Sequence, residues 1–207
     1  MDFVRPIEAI VPGAQGRVLE VLARTTDELN LRTIARLAGI SPAQTSRVLP
    51  RLAYLGIVRR REVPPASLFS LALDHVAAGP LLALAASRQS VLDEIGRAAS
   101  ELVDLPISAI VFGSLARGEA DAESDIDLAV VRPTHIDEDD DSWVDGLESL
   151  RQRVRDVSGN QVEILEVGVD DVAHKLTSDN PVWADICREG RVVYGRSIDE
   201  LREIKVG

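Results

Sequence analysis

The apolar positions of this chain change their spacing several times, and each change predicts an element. In AQGRVLEVLAR (14–24), Val18, Leu19, Val21 and Leu22 recur at helical spacing and make one stripe. Leu31 to Ala38 predicts a second, short helix with Ile34, Leu37 and Ala38 inward. Gly39-Ile40 then gives a tight turn, because glycine accepts the left-handed conformation that ends a helix. Ser41-Pro42 opens a third helix, with Ser41 as N-cap and Pro42 at the first helical position. It continues through AQTSRVLPRLAYL to Gly56, with a kink or stop expected at Pro50, which has no N–H to donate. The period then drops to two: IVRRREV and SLFSLAL predict a β-hairpin around Pro64-Pro65. From Pro80 to Leu102 the helical period returns in Leu81, Leu84, Ala85, Val91, Leu92, Ile95 and Leu102, predicting one long helix with a sharp start at Gly79-Pro80.

Beyond that helix the pattern is strand-like. Ser108 to Phe112 is apolar on both faces, as a buried sheet member is. Ser124 to Val130 alternates, Gln161 to Val167 does so again, and the chain closes with a helix in TSDNPVWADIC and a strand in RVVYG. The fold class this predicts is α+β: a helical domain with a hairpin at 1–78, a connecting helix at 79–103, and an α/β domain with a mixed sheet at 104–207.

Charge sharpens the division. The chain has a net charge of −11, from 23 Lys+Arg and 34 Asp+Glu. Residues 1–78 hold ten arginines against seven acids, a balance of +3, so the remainder stands at −14. A mildly basic front can approach a polyanion; the acidic back repels one unless cations intervene. No apolar run is long enough for a bilayer, and MDFVRPIEAIVPGA lacks the basic head and apolar core of a signal peptide, so a cytoplasmic protein is expected. The single cysteine, Cys187, has no partner for an internal disulfide and is read as packing. HIDEDDDS (135–142) reads as a solvated loop tip, and His75, His135 and His174 share no ligand spacing.

The chemistry concentrates in GSLARGEADAESDID (113–127). Gly113-Ser114 makes a sharp turn into a short helix beginning near Leu115. Glycine lets backbone approach a ligand, helix-start N–H groups favour an anion, and Ser114 adds a hydroxyl. At the other end, strand alternation puts Asp125 and Asp127 on one face, with Ile126 and Leu128 on the other. Two neighbouring carboxylates repel unless a cation lies between them, and magnesium suits such a pair. A third carboxylate is offered by Glu163, set among aliphatic neighbours in VEILEV. Glu166 falls on the opposite face, exposed or at the strand end.

Helix, helix, short turn, helix and two-stranded wing resembles the winged helix-turn-helix of bacterial transcription regulators, over about 12–74. The resemblance implies that Gln44, Thr45, Arg47 and Arg51 face the major groove and that Arg59, Arg60 and Arg61 at the wing meet phosphates. Winged helices also serve as protein docking modules, so DNA and protein are both open as partners. The Gly-Ser turn, the Asp-x-Asp and the distant acid resemble the nucleotidyltransferase superfamily that includes DNA polymerase β. The likeness is to its minimal members, which pair with HEPN proteins in toxin–antitoxin loci, and it covers about 104–195. Glu163 stands where many of those relatives carry Asp. The resemblance implies a nucleoside triphosphate such as ATP bound with two magnesium ions. Asp125, Asp127 and Glu163 would then be metal ligands and catalytic residues, with Gly113, Ser114 and Arg117 on the triphosphate. About forty residues follow Glu163, too few for an acceptor-binding helical domain there, so a macromolecular acceptor is expected: a HEPN-like partner toxin, or alternatively RNA. A further alternative is a DNA-binding regulator whose transferase half senses nucleotide. A homodimer is compatible with the winged helix but not required by it.

Overall fold

A computed structural model of the chain describes residues 1–204; the last three residues of the domain expected at 104–207 lie outside the described residues. The described chain divides into two compact units, one formed by Asp2 and Val4–Ser87, the other by Met1, Phe3 and everything from Arg88 onward.

The first unit runs α1 (Pro6–Ile10), α2 (Ala14–Ala23), β1 (Leu29–Asn30), α3 (Leu31–Ala38), α4 (Pro42–Tyr54), β2 (Val58–Val63), β3 (Ala66–Leu71) and α5 (Ala78–Ala85). Its core gathers Ile7, Val18, Leu19, Leu22, Ile34, Leu49, Leu52, Val58, Phe69 and Leu71, the apolar stripes of the helices closed by the hairpin. Helix α3 is bounded chemically: Asn30 caps it by accepting from Thr33 N, and Gly39 ends it at φ 63°. Its inward residues are Ile34, Ala35 and Ala38; Leu37, expected inward, is 49 % exposed, and Ala35 takes its place. Helix α4 begins with a capping box between Ser41 and Gln44 and passes through Pro50 without ending. Pro50 is exposed, so its ring meets solvent. The one lost backbone hydrogen bond is offset by the burial of Leu49 and Leu52 on either side. The hairpin pairs Val58–Val63 with Ala66–Leu71 across a two-residue Pro64-Pro65 turn. A third strand, β1, joins β3 and makes the order β1-β3-β2; at two residues it has no readable period.

The single helix expected over 80–102 is two, α5 and α6 (Ser87–Ser100), interrupted at Ala86. Only Ala78 of α5 is buried, whereas α6 buries Val91, Leu92, Ile95, Ala98 and Ala99.

The second unit continues with β4 (Ser108–Phe112), α7 (Gly113–Arg117), β5 (Ile126–Arg132), α8 (Asp141–Ser158), β6 (Val162–Gly168), α9 (Val169–Leu176), α10 (Pro181–Glu189), β7 (Arg191–Gly195) and α11 (Ile198–Arg202). The sheet is mixed, in the order β6-β5-β4-β7: β5 and β6 run parallel through the α8 crossover, and the other pairs are antiparallel. Two cores sandwich it. Ala109, Val111, Ile126, Leu128 and Val130 pack with α6 and α8 on one face. Ile110, Ala129, Val131 and Val167 pack with α9, α10 and α11 on the other. The acid-rich 135–142 run leads into α8: Asp140 is its N-cap, accepting from Ser142 N and Trp143 N. After Glu163 the described chain folds as three helices and a strand, where one helix and a strand were expected. The added elements, α9 and α11, are short and carry acids in their first turns, which masks their apolar positions. Among the described residues no helix is long and apolar enough to cross a membrane.

Candidate active site

The two ends of the 113–127 loop meet. Gly113 closes β4 at φ 65°, and a Cβ added there would collide with the Asp127 Oδ2. The position therefore requires glycine twice, for its backbone angle and for the carboxylate that occupies the side-chain space. Phe112 pairs with Asp127 across β4 and β5, which brings the start of α7 to the aspartate.

Across the parallel seam Asp127 sits opposite Glu163. Paired residues project from the same face of a sheet, so both carboxylates point to the side that carries Ala129, Val131 and Val167 farther along. Asp125 lies just before β5, exposed; Asp127 is half-buried and Glu163 exposed. Burial raises the Asp127 carboxyl above the ordinary aspartate value, the negative charges of Asp125 and Glu163 raise it further, and Arg117 opposes them. The acids thus press on one another, and a cation between them would relieve that repulsion. They do not form a closed cage: among the described residues no group of three or more His, Cys, Asp or Glu side chains is gathered closely enough to hold a metal ion. Glu166, expected on the opposite face and exposed or at the strand end, is on that face but held at low exposure by Arg132 at 2.5 Å, which leaves Glu163 as the acid facing Asp127.

Side chains that the sequence pattern did not single out hold this loop. Asn160, buried between α8 and β6, donates from Nδ2 to the carbonyls of Asp121 (3.0 Å) and Ser124 (2.8 Å), fixing the segment before Asp125. Arg88 donates to the carbonyls of Leu115 and Ala116, and Arg191 donates to that of Ala116 at 3.1 Å. Two guanidinium groups thus cap the C-terminal end of α7, where carbonyls are unsatisfied and the helix dipole is negative. Burial, then repulsion from Arg191, lowers the pKa of Arg88. No periodicity marks these residues. Arg117, expected on the triphosphate, is ion-paired with Glu119 (2.7 Å) and Glu189 (2.5 Å), which raises its pKa.

In the first unit the groove-facing set is reduced. Thr45 is fully buried on the inward stripe that it shares with Leu49 and Leu52, and its hydroxyl donates to Ser41 O. Gln44 is exposed, but its Oε1 accepts from the Ser41 N–H and hydroxyl, so its side chain serves the cap. The wing arginines are each matched by an acid: Arg59 with Asp74, Arg60 with Glu62, and Arg61 with Glu28. Arg47 and Arg51 are exposed and have no carboxylate partner among the described residues, as do Arg32 and Arg36, which sequence reasoning passed over. The S-x-x-Q of residues 41–44 was the available signal for the cap.

Comparison with known proteins gives two family matches in the same order as the units. Residues 92–178 match a nucleotidyltransferase domain, and residues 16–62 match an IclR helix-turn-helix domain. No match was found among curated proteins. Among solved structures the chain is similar to one described as "Crystal structure of the toxin-antitoxin with AMP-PNP", with 16 % identity over 54 % of this chain and 80 % of that one, at a TM-score of 0.39.

Proposed function

Because the chain joins an N-terminal helix-turn-helix to a C-terminal nucleotidyltransferase domain, we propose that it transfers a nucleoside monophosphate, AMP by family resemblance, from a nucleoside triphosphate to a hydroxyl on a macromolecular acceptor. One observation carries the reading: Gly113 lies against the Asp127 carboxylate, and that carboxylate stands in register with Glu163 on the neighbouring strand. A backbone turn open to phosphate and a row of mutually repelling acids are thereby adjacent, as a metal–nucleotide complex requires.

The acids fit magnesium in its usual protein setting. That ion is held by one or two carboxylates together with substrate phosphates and waters, rather than by an all-protein cage. Asp125 and Asp127 are the ligands in this reading, with Glu163 completing one of two sites. Bound there, the ions neutralise charge developing on the phosphates and leaving group. The chain's own groups do the rest. Gly113 and Ser114 orient the phosphates through a bare backbone and a hydroxyl, and Glu163 accepts the proton of the incoming hydroxyl. The acceptor oxygen bonds to the α-phosphorus, the bond from that phosphorus to the bridging oxygen breaks, and pyrophosphate departs. Arg117 reaches a phosphate only by exchanging its two carboxylate partners. Arg47 and Arg51 on α4 present the uncompensated charge for nucleic acid, which makes DNA the partner of the first unit. The acceptor follows from the resemblance to minimal nucleotidyltransferases: a partner protein of a toxin–antitoxin pair.

A second reading is a DNA-binding regulator that senses nucleotide without turnover. It is favoured by Arg117, whose guanidinium is held by Glu119 and Glu189 rather than free for a phosphate. Incubating the full chain with magnesium and each α-phosphate-labelled triphosphate, in lysate from its own source, decides between them. Transfer of label to a macromolecule, abolished in the Asp125→Ala/Asp127→Ala double variant, is expected. Nucleotide binding with no labelled product supports the sensor, and transfer at wild-type rate by the double variant removes the site assignment.

A further inference from the structure

The first unit contains a cleft of about 600 Å³ enclosed by the start of α3, one face of α4 and the hairpin. That volume lies within the range of small-molecule sites, roughly 300–1,000 Å³. Its accessible apolar surface comes from Leu31, Pro50, Pro65 and Ala66, laid over the buried Leu49 and Phe69. Pro50 and Pro65 extend the apolar walls from α4 and the hairpin turn. Ser46, Leu49 and Pro50 reach it together because positions i, i+3 and i+4 share a helix face.

The rim is polar and asymmetric in charge. Arg60 is neutralised by Glu62 at 2.6 Å and also bonds the Ser67 hydroxyl. Arg32 is exposed, lines the cleft and has no carboxylate partner among the described residues. Among the described residues no acid lines the cleft, and Glu62 behind it is taken up by Arg60 and the Ser67 hydroxyl. A single uncompensated guanidinium above an apolar floor is complementary to one kind of ligand, a molecule with one oxyanion and an apolar body. The guanidinium takes the oxyanion through paired N–H donors, and the floor takes the body.

We propose that this cleft binds a small organic anion, its carboxylate or phosphate on Arg32 and its apolar body against Leu31, Pro50 and Pro65. The site is separate from the transferase centre and does not depend on the reaction assigned there.

The test titrates the full chain with the fluorescent probe anilinonaphthalene sulfonate, with uncharged phenylnaphthylamine as its neutral counterpart. Saturable binding of the sulfonate is expected, weaker by about tenfold in Arg32→Ala, as for loss of one charge-assisted contact. Ser46→Trp, an exposed position that tolerates the larger side chain, is expected to fill the cleft and abolish binding, whereas Arg151→Ala on α8 leaves it unchanged. Displacement by benzoate or by phenyl phosphate supports the site and identifies which oxyanion it prefers; displacement by neither overturns it. Equal affinity in Arg32→Ala, retained binding in Ser46→Trp, or equally tight binding of the uncharged amine each overturns it too. Circular dichroism of both variants establishes that the unit is folded.

Discussion

Asp127 concentrates the tension of the transferase unit in one side chain. It is half-buried, faces two other carboxylates and fills the space a Cβ would need at Gly113. Its folded-state pKa is raised, chiefly by burial and then by Asp125 and Glu163. Between the ordinary aspartate value and that raised value the folded chain therefore binds more protons than the unfolded one. Stability falls as pH rises through that window and stays at the lower level above it. Asp127→Asn has no charge to lose, so with chelator present it is expected to be more stable than wild type at neutral pH. The gap should close once the pH drops below the ordinary aspartate range, and it should be accompanied by loss of transfer. Denaturant titrations across that range measure it; a variant less stable than wild type at neutral pH would contradict the electrostatic account. Asp127 and Glu163 were legible as acids of two strands, and the structure sets them in register; Asp125 lies before β5, where strand alternation does not reach. Gln44 was not legible, because exposure on a helix does not tell a capping role from a ligand-facing one, and Thr45 was not, because a polar side chain on the stripe of Leu49 and Leu52 does not read as core.

At the scale of elements, a five-residue helix is too short to be stable by itself, so α7 has to be held from outside. Arg88 spans the carbonyls of Leu115 and Ala116, and Arg191 bonds Ala116 as well. A guanidinium can reach two acceptors in a fixed fork, which an ammonium cannot reproduce. Arg88→Lys is accordingly expected to raise KM for the nucleotide severalfold while kcat changes little, since it loosens the Gly113-Ser114 turn and leaves the acids in place. A fall in kcat alone, with KM unchanged, would count against this positioning role. In the first unit the contrast is between α4 and the hairpin. Affinity for DNA depends on salt with a slope set by the number of phosphates neutralised, so losing one such contact lowers the slope by about one. Arg47→Ala and Arg51→Ala are each expected to do so. Arg61→Ala is expected to leave the slope nearly unchanged, because that arginine is already matched by Glu28. Measuring affinity over a salt series distinguishes them. Helix α4, the hairpin and β4 were readable as elements because each has a clean period or a turn signal at its ends. Helix α8 is regular too, but its acid-rich entrance read as loop, and the break between α5 and α6 falls in an apolar Ala-rich stretch with no Pro or Gly to mark it.

For the molecule as a whole, the apolar clusters respect the two units. Ile7, Leu22, Leu49 and Phe69 belong to one core, and the sheet residues of the transferase unit belong to two others. The charge balance of +3 in residues 1–78 and −14 beyond follows the same division. A chain with separate cores need not unfold in one cooperative step, and a single melting temperature would then describe neither unit. Leu49 is fully buried in the first core, so truncating it to alanine removes about 2–5 kcal/mol from that core. Leu49→Ala is therefore expected to lower one calorimetric transition by many degrees and to abolish DNA binding. The second transition and the rate of nucleotide transfer should stay at wild-type values. If both transitions moved together, the two halves would be energetically one body, and a signal at either site would have a direct physical route to the other.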